Sequence, residues 1–350
     1  MLIHSPRAPQ RRASHNAVAD TATQQLSQPV EVLSETSSVI STEFQSALSG
    51  LIPWHYPKTK TPIHRLYELA KAGQWNASTD VPWSQDDPLG HFPSDEANNP
   101  LVGFPDYDRL PEAERCRLSW WQHRLEVAEI LHGEQAAMVI ASQLVACLPT
   151  VEAKLFASTQ VNDEARHVEF FSHYLTTLGG DIPGPSSALL KLIHASVDEA
   201  RWDMKFIACQ ILIESLAMAR FQELRQHTRV PELRFAIDYI LRDEARHVRF
   251  GVEFLREHLA TLEEAALEER CGFVLDNVLQ LANSLNLYNR IAVAKGWDLA
   301  ALRLHLRRYR LQHPELNRQR LRQLALNMEA VGLLTTTGRA RLEQMNLVAV

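Results

Sequence analysis

The chain has 350 residues, of which 45% are hydrophobic and 22% charged, and its formal net charge at pH 7 is -6. This composition excludes a wholly disordered chain, and the acidic balance argues against nucleic acid as the partner. We therefore expect a globular protein that acts on a small molecule or on another protein.

The first 110 residues show few helical signals. Residues 1–50 are rich in Ser, Thr, Gln and Ala with weak periodicity, which predicts a poorly ordered leader. Residues 51–110 are dense in Pro, Trp, Asp and Asn, which favour turns and extended segments and predict an irregular segment wrapped over a core. The leader carries arginines without an apolar run after them, so we do not expect a secretory signal.

From residue 111 onward, apolar residues recur at three- and four-residue spacing. This pattern predicts one helical domain over 111–350, with helices over about 110–147, 150–178, 186–227 and 231–259 and a further set from about 262. Short connections between long helices are typical of a bundle, so we predict an all-α, ferritin-like four-helix bundle over 111–260 with extra helices over 261–350. The most apolar stretch, residues 136–149, is too short for a membrane span and predicts a buried helix.

The helical region contains an internal repeat. The sequence DEARHV occurs at 163–168 and again at 243–248, and the same offset aligns Glu134 with Glu214 and Met138 with Met218. Each half is therefore predicted to be a helix with one glutamate, a turn, and a helix with Glu-x-x-His. The chain is interpreted as an internally doubled helical hairpin.

This repeat predicts a metal site. In each copy a glutamate and a histidine are three residues apart and share one helix face. Between the upstream glutamate and this pair, the chain runs through two antiparallel helical segments of roughly 15 residues each. At about 1.5 Å per residue the two segments are equally long, so the chain returns to the same level of the bundle. Two such hairpins would gather four carboxylates and two imidazoles, the ligand set of two-metal carboxylate sites. The predicted ligands are Glu134, Glu164, His167, Glu214, Glu244 and His247.

The neighbours of the upstream glutamates support this prediction. Glu134 is followed by an apolar run, and Glu214 lies within IACQILIESLAMARF. A buried carboxylate costs several kcal/mol to ionise without compensation, which a divalent metal pair would provide. A single Glu-x-x-His is weak evidence for metal binding. For two copies, the competing interpretation is a duplicated structural ion-pair network.

Four further residues are predicted to support the ligands. Asp163 and Asp243 each precede their own histidine by one helical turn, so we expect each to accept a hydrogen bond from that ring and to fix its tautomer. Arg166 and Arg246 would hold these aspartates through charge-assisted hydrogen bonds. No catalytic residue is predicted beyond the metal ligands.

Other polar residues give weaker signals. Gln160 and Gln210 either line a substrate or oxygen pocket or are ordinary helix residues. The cysteines are far apart and form no CxxC pair, which is typical of reduced core cysteines in a cytoplasmic protein. They are Cys116, Cys147, Cys209 and Cys271.

At these residues the chain resembles the ferritin-like di-iron carboxylate superfamily. Asp-Glu-x-Arg-His in both halves resembles bacterial di-iron monooxygenases. The layout is also similar to aldehyde-deformylating oxygenases, acyl carrier protein desaturases, ribonucleotide reductase small subunits and aryl-amine N-oxygenases. The resemblance covers residues 110–260 and implies that one iron is bound by Glu134, Glu164 and His167 while the second is completed by Glu214, Glu244 and His247, some glutamates bridging.

The resemblance implies a non-haem di-iron oxygenase. Two irons, or a manganese–iron pair, would use dioxygen as co-substrate to hydroxylate, N-oxygenate or desaturate a small organic or carrier-bound substrate. No GxGxxG motif for binding a dinucleotide follows a strand, so electrons would come from a separate ferredoxin or reductase. A homodimer is a further expectation. The alternatives are a ribonucleotide-reductase-like radical generator that oxidises Tyr174 or Tyr239, a ferroxidase or other iron-handling protein, and a manganese-catalase-like enzyme.

Overall fold

The computed structural model of the chain describes residues 41–344 except 42, 57–60, 85–89 and 283–285. Residues 1–40, most of the predicted leader, therefore lie outside the described residues. Within the described residues the regular structure is helical, and the one β-type contact is an isolated bridge between Ser94 and Thr228. The predicted all-α class is confirmed.

Among the described residues, two short α-helices precede the bundle, α1 (Pro62–Ala72) and α2 (Pro105–Asp108). Helix α1 thus lies within the segment over 51–110 for which turns and extended structure were predicted. The Thr61 hydroxyl accepts a hydrogen bond from the His64 amide and Pro62 occupies the first turn, which is a favourable start for a helix. The composition of the surrounding segment, rich in proline and tryptophan, favours turns and gives no clear signal for this short helix.

Four long helices form the bundle, and the chain reaches the third of them through a short helix, α5 (Ser187–Val197). The third, α6, has an α-helical start at Trp202–Phe206, a π-helical stretch at Ile207–Ile213 and an α-helical end at Glu214–His227. The other three are α3 (Glu112–Cys147), α4 (Val151–Thr177) and α7 (Pro231–Leu259).

The predicted helix over 186–227 is interrupted, because α5 ends at Val197 and α6 begins at Trp202. The buried Lys205 ammonium donates to the carbonyls of Ser196 and Val197, both at 2.8 Å. These carbonyls belong to the last turn of α5, where a helix leaves acceptors unpaired. The amine that closes α5 comes from the next helix, a contact that helical periodicity does not reveal.

Two apolar clusters fix the direction of each long helix. One cluster contains Leu144, Phe156, Leu212 and Phe250, and the other contains residues from the opposite ends of the same four helices, including Phe171. Along the chain, α3 and α7 run from the second cluster to the first, whereas α4 and α6 run from the first to the second. The parallel pair α4 and α6 requires the crossover that carries α5, and the predicted ligands lie at the level between the clusters.

In the described part of the chain after the bundle, there are five helices. They are α8 (Glu264–Ala282), α9 (Asn286–Lys295), α10 (Leu299–Gln312), α11 (Pro314–Ala330) and α12 (Thr336–Gln344). Helix α11 lies along α6 in the opposite direction, since Arg320 pairs with Glu223 at 2.7 Å and Asn327 Nδ2 donates to the Ser215 hydroxyl at 2.8 Å. The added helices therefore extend the core over the outside of α6.

Among the described residues, α3 is the one helix long and apolar enough to cross a membrane by length and composition. The apolar stretch over 136–149 is its C-terminal end. Helix α3 packs in all three apolar clusters of the core, and it carries the buried Glu134. This placement is typical of the central helix of a bundle core.

Candidate metal centre

The structure brings the six predicted ligands together in the bundle interior. His167 Nδ1 lies 2.8 Å from Glu134 Oε2 and 3.2 Å from Glu164 Oε2. His247 Nδ1 lies 3.1 Å from Glu244 Oε2 and 3.2 Å from Glu164 Oε1. All of these side chains are buried. The distances show that both imidazoles turn Nδ1 toward a shared group of carboxylates.

The donor atoms form two overlapping groups, within each of which the atoms lie no more than 4.8 Å apart. Glu164 and Glu244 belong to both groups. A carboxylate has two oxygens and can bind two cations at once, so these two glutamates are placed to bridge a metal pair. The first group is completed by Glu134 and His167, and the second by Glu214 and His247.

The charge of the site fits a pair of cations. Burial, followed by the neighbouring carboxylates, raises the pKa of Glu214 to about 8, and burial raises that of Glu134 to about 7 although His167 opposes the shift. Glu244 Oε1 is buried and accepts no hydrogen bond from the residues that the structure describes. Carboxylate and imidazole donors suit iron and manganese. Two divalent ions would neutralise the negative charge of the four carboxylates.

The supporting aspartates cross between the two hairpins, which corrects the predicted pairing. His167 Nε2 donates to Asp243 at 3.2 Å, and His247 Nε2 donates to Asp163 at 3.3 Å. Each ring uses Nδ1, the nitrogen nearer its own helix, toward the carboxylates. Nε2 therefore points away from its own helix and meets the aspartate of the other hairpin.

The arginines hold the aspartates as predicted and also cross between the hairpins. Arg166 Nη2 donates to Asp163 at 2.5 Å and approaches Asp243 at 3.3 Å. Arg246 pairs with Asp243 and approaches Asp163 at 3.4 Å. Burial alone would raise the pKa of Asp243, but hydrogen bonding to His167 and the charge of Arg246 hold it well below its usual range. Both aspartates thus remain anionic acceptors.

Sequence reasoning missed two residues of the wrapping segment. The indole Nε1 of Trp75 donates to Asp243 at 2.9 Å, and the ring lies near that of His167 with centroids 6.4 Å apart. Gln74 Nε2 donates to the other aspartate, Asp163, at 3.2 Å. The loop after α1 therefore closes the histidine side of the site. No spacing signal links residues 74 and 75 to the repeat.

A chain of two amides supports the opposite side. Gln160 Nε2 donates to Glu214 Oε1 at 2.7 Å, and Gln210 Nε2 donates to Gln160 Oε1 at 2.5 Å. Gln210 lies in the π-helical stretch just before Glu214. Such a stretch is frequent at functional sites because the extra residue shifts the side chains that follow. Gln160 and Gln210 were interpreted either as pocket residues or as ordinary helix residues. Their hydrogen bonds to Glu214 and to each other favour a role in the site.

The remaining candidates lie around the ligands. Tyr239 packs against Trp75 with centroids 5.6 Å apart, whereas the Tyr174 hydroxyl is paired with the His123 ring at 2.8 Å. All four cysteines are buried and free. Cys209 Sγ, 3.9 Å from Gln160 Nε2, is the cysteine that approaches the site.

Comparison with known proteins gives a family. Residues 57–322 match the family described as p-aminobenzoate N-oxygenase AurF. No curated protein sequence matches the chain.

Two solved structures illustrate the fold. They are R2-like ligand-binding oxidase with an aerobically reconstituted metal cofactor after photoconversion, and a mutant of R2-like ligand-binding oxidase with an aerobically reconstituted Mn/Fe cofactor. Each is 20% identical and aligned over 77% of this chain and 93% of its own, with TM-scores of 0.53 and 0.54 respectively. At this identity the likeness shows a shared fold. The family match covers most of the chain, so the protein belongs to the AurF family of the ferritin-like di-iron superfamily and is a non-haem di-iron oxidoreductase.

Proposed function

We propose that the chain activates dioxygen and oxidises a small organic or carrier-bound substrate, with N-oxygenation of an amine as the favoured reaction. The observation that carries this proposal is the pair of buried ligand groups joined by Glu164 and Glu244. An amine is favoured because the matched family is described by an N-oxygenase of p-aminobenzoate.

The chain's own side chains would hold and orient the metal pair. When bound, that pair supplies the redox chemistry and the site for dioxygen. The crossed aspartates keep a proton on Nε2 of His167 and His247, which leaves each Nδ1 lone pair free for a cation. Gln160 fixes one oxygen of Glu214 and leaves the other to bind metal. The apolar clusters at both ends keep bulk water away from the centre.

We further propose a separate ferredoxin or reductase as electron donor and the cytoplasm as the compartment. The described residues contain no β-sheet of the kind that dinucleotide-binding folds require. The four free, buried cysteines support a reducing compartment.

The direct test is anaerobic reconstitution with ferrous iron, metal analysis and Mössbauer spectroscopy. We expect about two irons per chain, antiferromagnetically coupled after exposure to air. Reduced protein supplied with a chemical reductant, dioxygen and p-aminobenzoate or another arylamine should then give an N-oxygenated product. One iron per chain, or dioxygen consumption that no organic substrate alters, would contradict the proposal.

A second candidate is an oxidase that removes electrons from its own aromatic residues. The observation in its favour is the contact series from His167 through Asp243 and Trp75 to Tyr239. Electron paramagnetic resonance after oxygen exposure separates the two functions. A stable radical that disappears in Tyr239→Phe would favour the oxidase, and iron loading far above two per chain would favour iron handling.

A further inference from the structure

The positive charge of the chain is concentrated in α10 and α11. Residues 299–322 contain seven arginines and one glutamate, although the whole chain has a net charge of -6. The remaining chain is therefore strongly acidic. An acidic protein would be repelled elsewhere and attracted here.

The outer face of these helices, which we call the arginine face, carries charges that form no ion pair with the described residues. It consists of exposed side chains of α10 and α11 that form no ion pair with a carboxylate of the described residues: Arg303, Arg307, Arg308, Arg318 and Arg322. Leu304 and Leu311 are exposed by 49% and 81% on the same α10 surface. Apolar anchors surrounded by like charges are typical of a protein-docking surface.

A cavity of about 370 Å³ lies beside the arginine face. Arg310 and Arg320 line its outer part, and the buried His123 and Gln122 line its inner part. Its volume lies within the range of small-molecule sites, about 300–1,000 Å³. The cavity is therefore large enough for a substrate or for a slender linker.

The cavity lies on the side of the metal centre formed by α3 and α6. Glu126 and Arg220 both line it and pair at 2.5 Å. Glu126 precedes Glu134 by eight residues and Arg220 follows Glu214 by six, which places this ion pair about 9–12 Å from the ligand level along the helices. Helices α3 and α6 thus carry both a wall of the cavity and two of the predicted ligands.

The distribution of charge indicates a macromolecular partner instead of a free anion. Within the cavity, Arg220 is paired with Glu126 and Arg320 with Glu223, so these guanidiniums already have counter-ions. The arginines that have no carboxylate partner among the described residues lie outside it, where a molecule bound in the cavity would not touch them. They suit an acidic protein surface, while the cavity suits an arm extending from that surface.

We propose that the arginine face docks an acidic carrier protein, whose phosphopantetheine arm enters the cavity and presents a tethered substrate to the metal centre. This inference rests on the proposed function, because the carrier would deliver the molecule to be oxidised. A redox protein fits less well, since electron transfer does not require a cavity.

The test measures binding of a fluorescently labelled acyl carrier protein, in its holo and apo forms, to the full-length metal-loaded protein. We expect salt-sensitive binding that is tighter for the holo form, and a loss of about tenfold or more in R307E/R308E and in R318E/R322E. The matched control is R65E/K191E, which reverses two exposed charges on α1 and α5 and should change affinity less than about twofold. Metal content and melting temperature confirm that each variant is folded.

Dioxygen uptake by the reduced protein, measured without carrier, tests the proposed function separately and should be equal in all variants. If wild-type protein takes up dioxygen but binds no carrier at low salt, the docking proposal is wrong and the proposed function stands. Equal binding of apo and holo carrier, equal loss in the control, or binding of a ferredoxin or RNA in place of the carrier would also overturn it.

Discussion

Gly251 packs against Gln210, one of the residues that support the predicted metal ligands. It lies on α7 one turn after His247, and a Cβ at this position would be only 2.7 Å from Gln210 Cβ. Carbon atoms pack best at about 3.5–4.0 Å, so Gly251→Ala requires a shift of roughly 1 Å. Gln210 holds Gln160, and Gln160 holds Glu214, so the shift is transmitted to a predicted ligand.

Two opposing free-energy changes determine the effect of Gly251→Ala on stability. Replacement of glycine by alanine inside a helix normally stabilises by about 1 kcal/mol. Overpacking of a dense core costs about 1–3 kcal/mol. We therefore expect a net loss of about 1 kcal/mol, together with an affinity for the second metal about tenfold lower, as is usual when the support of a ligand is disturbed.

The control is Gly272→Ala in α8, where an added Cβ meets nothing within 4 Å. This variant should gain about 1 kcal/mol. Urea denaturation of the metal-free proteins gives both stabilities, and titration with Co²⁺ gives the metal affinities. If Gly251→Ala gains as much stability as the control and binds both metals with wild-type affinity, the argument from the Gln210 contact is refuted.

Three further predictions concern the same centre. Glu214→Ala should lower the iron content from about two to about one per chain and abolish substrate oxidation; unchanged activity would disprove its role as a ligand. Gln160→Leu should weaken metal binding about tenfold, whereas Thr159→Val, whose hydroxyl bonds only to its own helix, should not. The raised pKa values of Glu134 and Glu214, about 7 and 8, mean that metal must displace protons. Iron affinity measured by calorimetry should therefore rise with pH up to about 8, and a flat profile would contradict the raised values.

The bundle and the clustering of the six predicted ligands followed from the sequence because they depend on helical periodicity and on the repeat. Glu164 and His167 share a helix face at fixed spacing, and the offset to Glu244 and His247 places the second pair by symmetry. These are local rules applied twice, so one chain contains enough information for them.

The remaining parts of the site depend on contacts between distant segments. The aspartates were expected beside their own histidines, but the use of Nδ1 toward the carboxylates sends Nε2 of His167 across to Asp243. Trp75 and Gln74 reach the site from a loop that has no counterpart in the repeat. The clash at Gly251 becomes apparent only when the π-helical stretch of α6 is packed against α7.

The crossed pairing of Asp163 with His247 and of Asp243 with His167 has a consequence for assembly. Neither hairpin contains both a histidine and the aspartate that orients it. Either half of the polypeptide on its own therefore lacks an oriented imidazole that could bind a cation. Metal capture must therefore follow the docking of the two halves, and coexpressed fragments divided between α5 and α6 should acquire iron only as a reassembled pair.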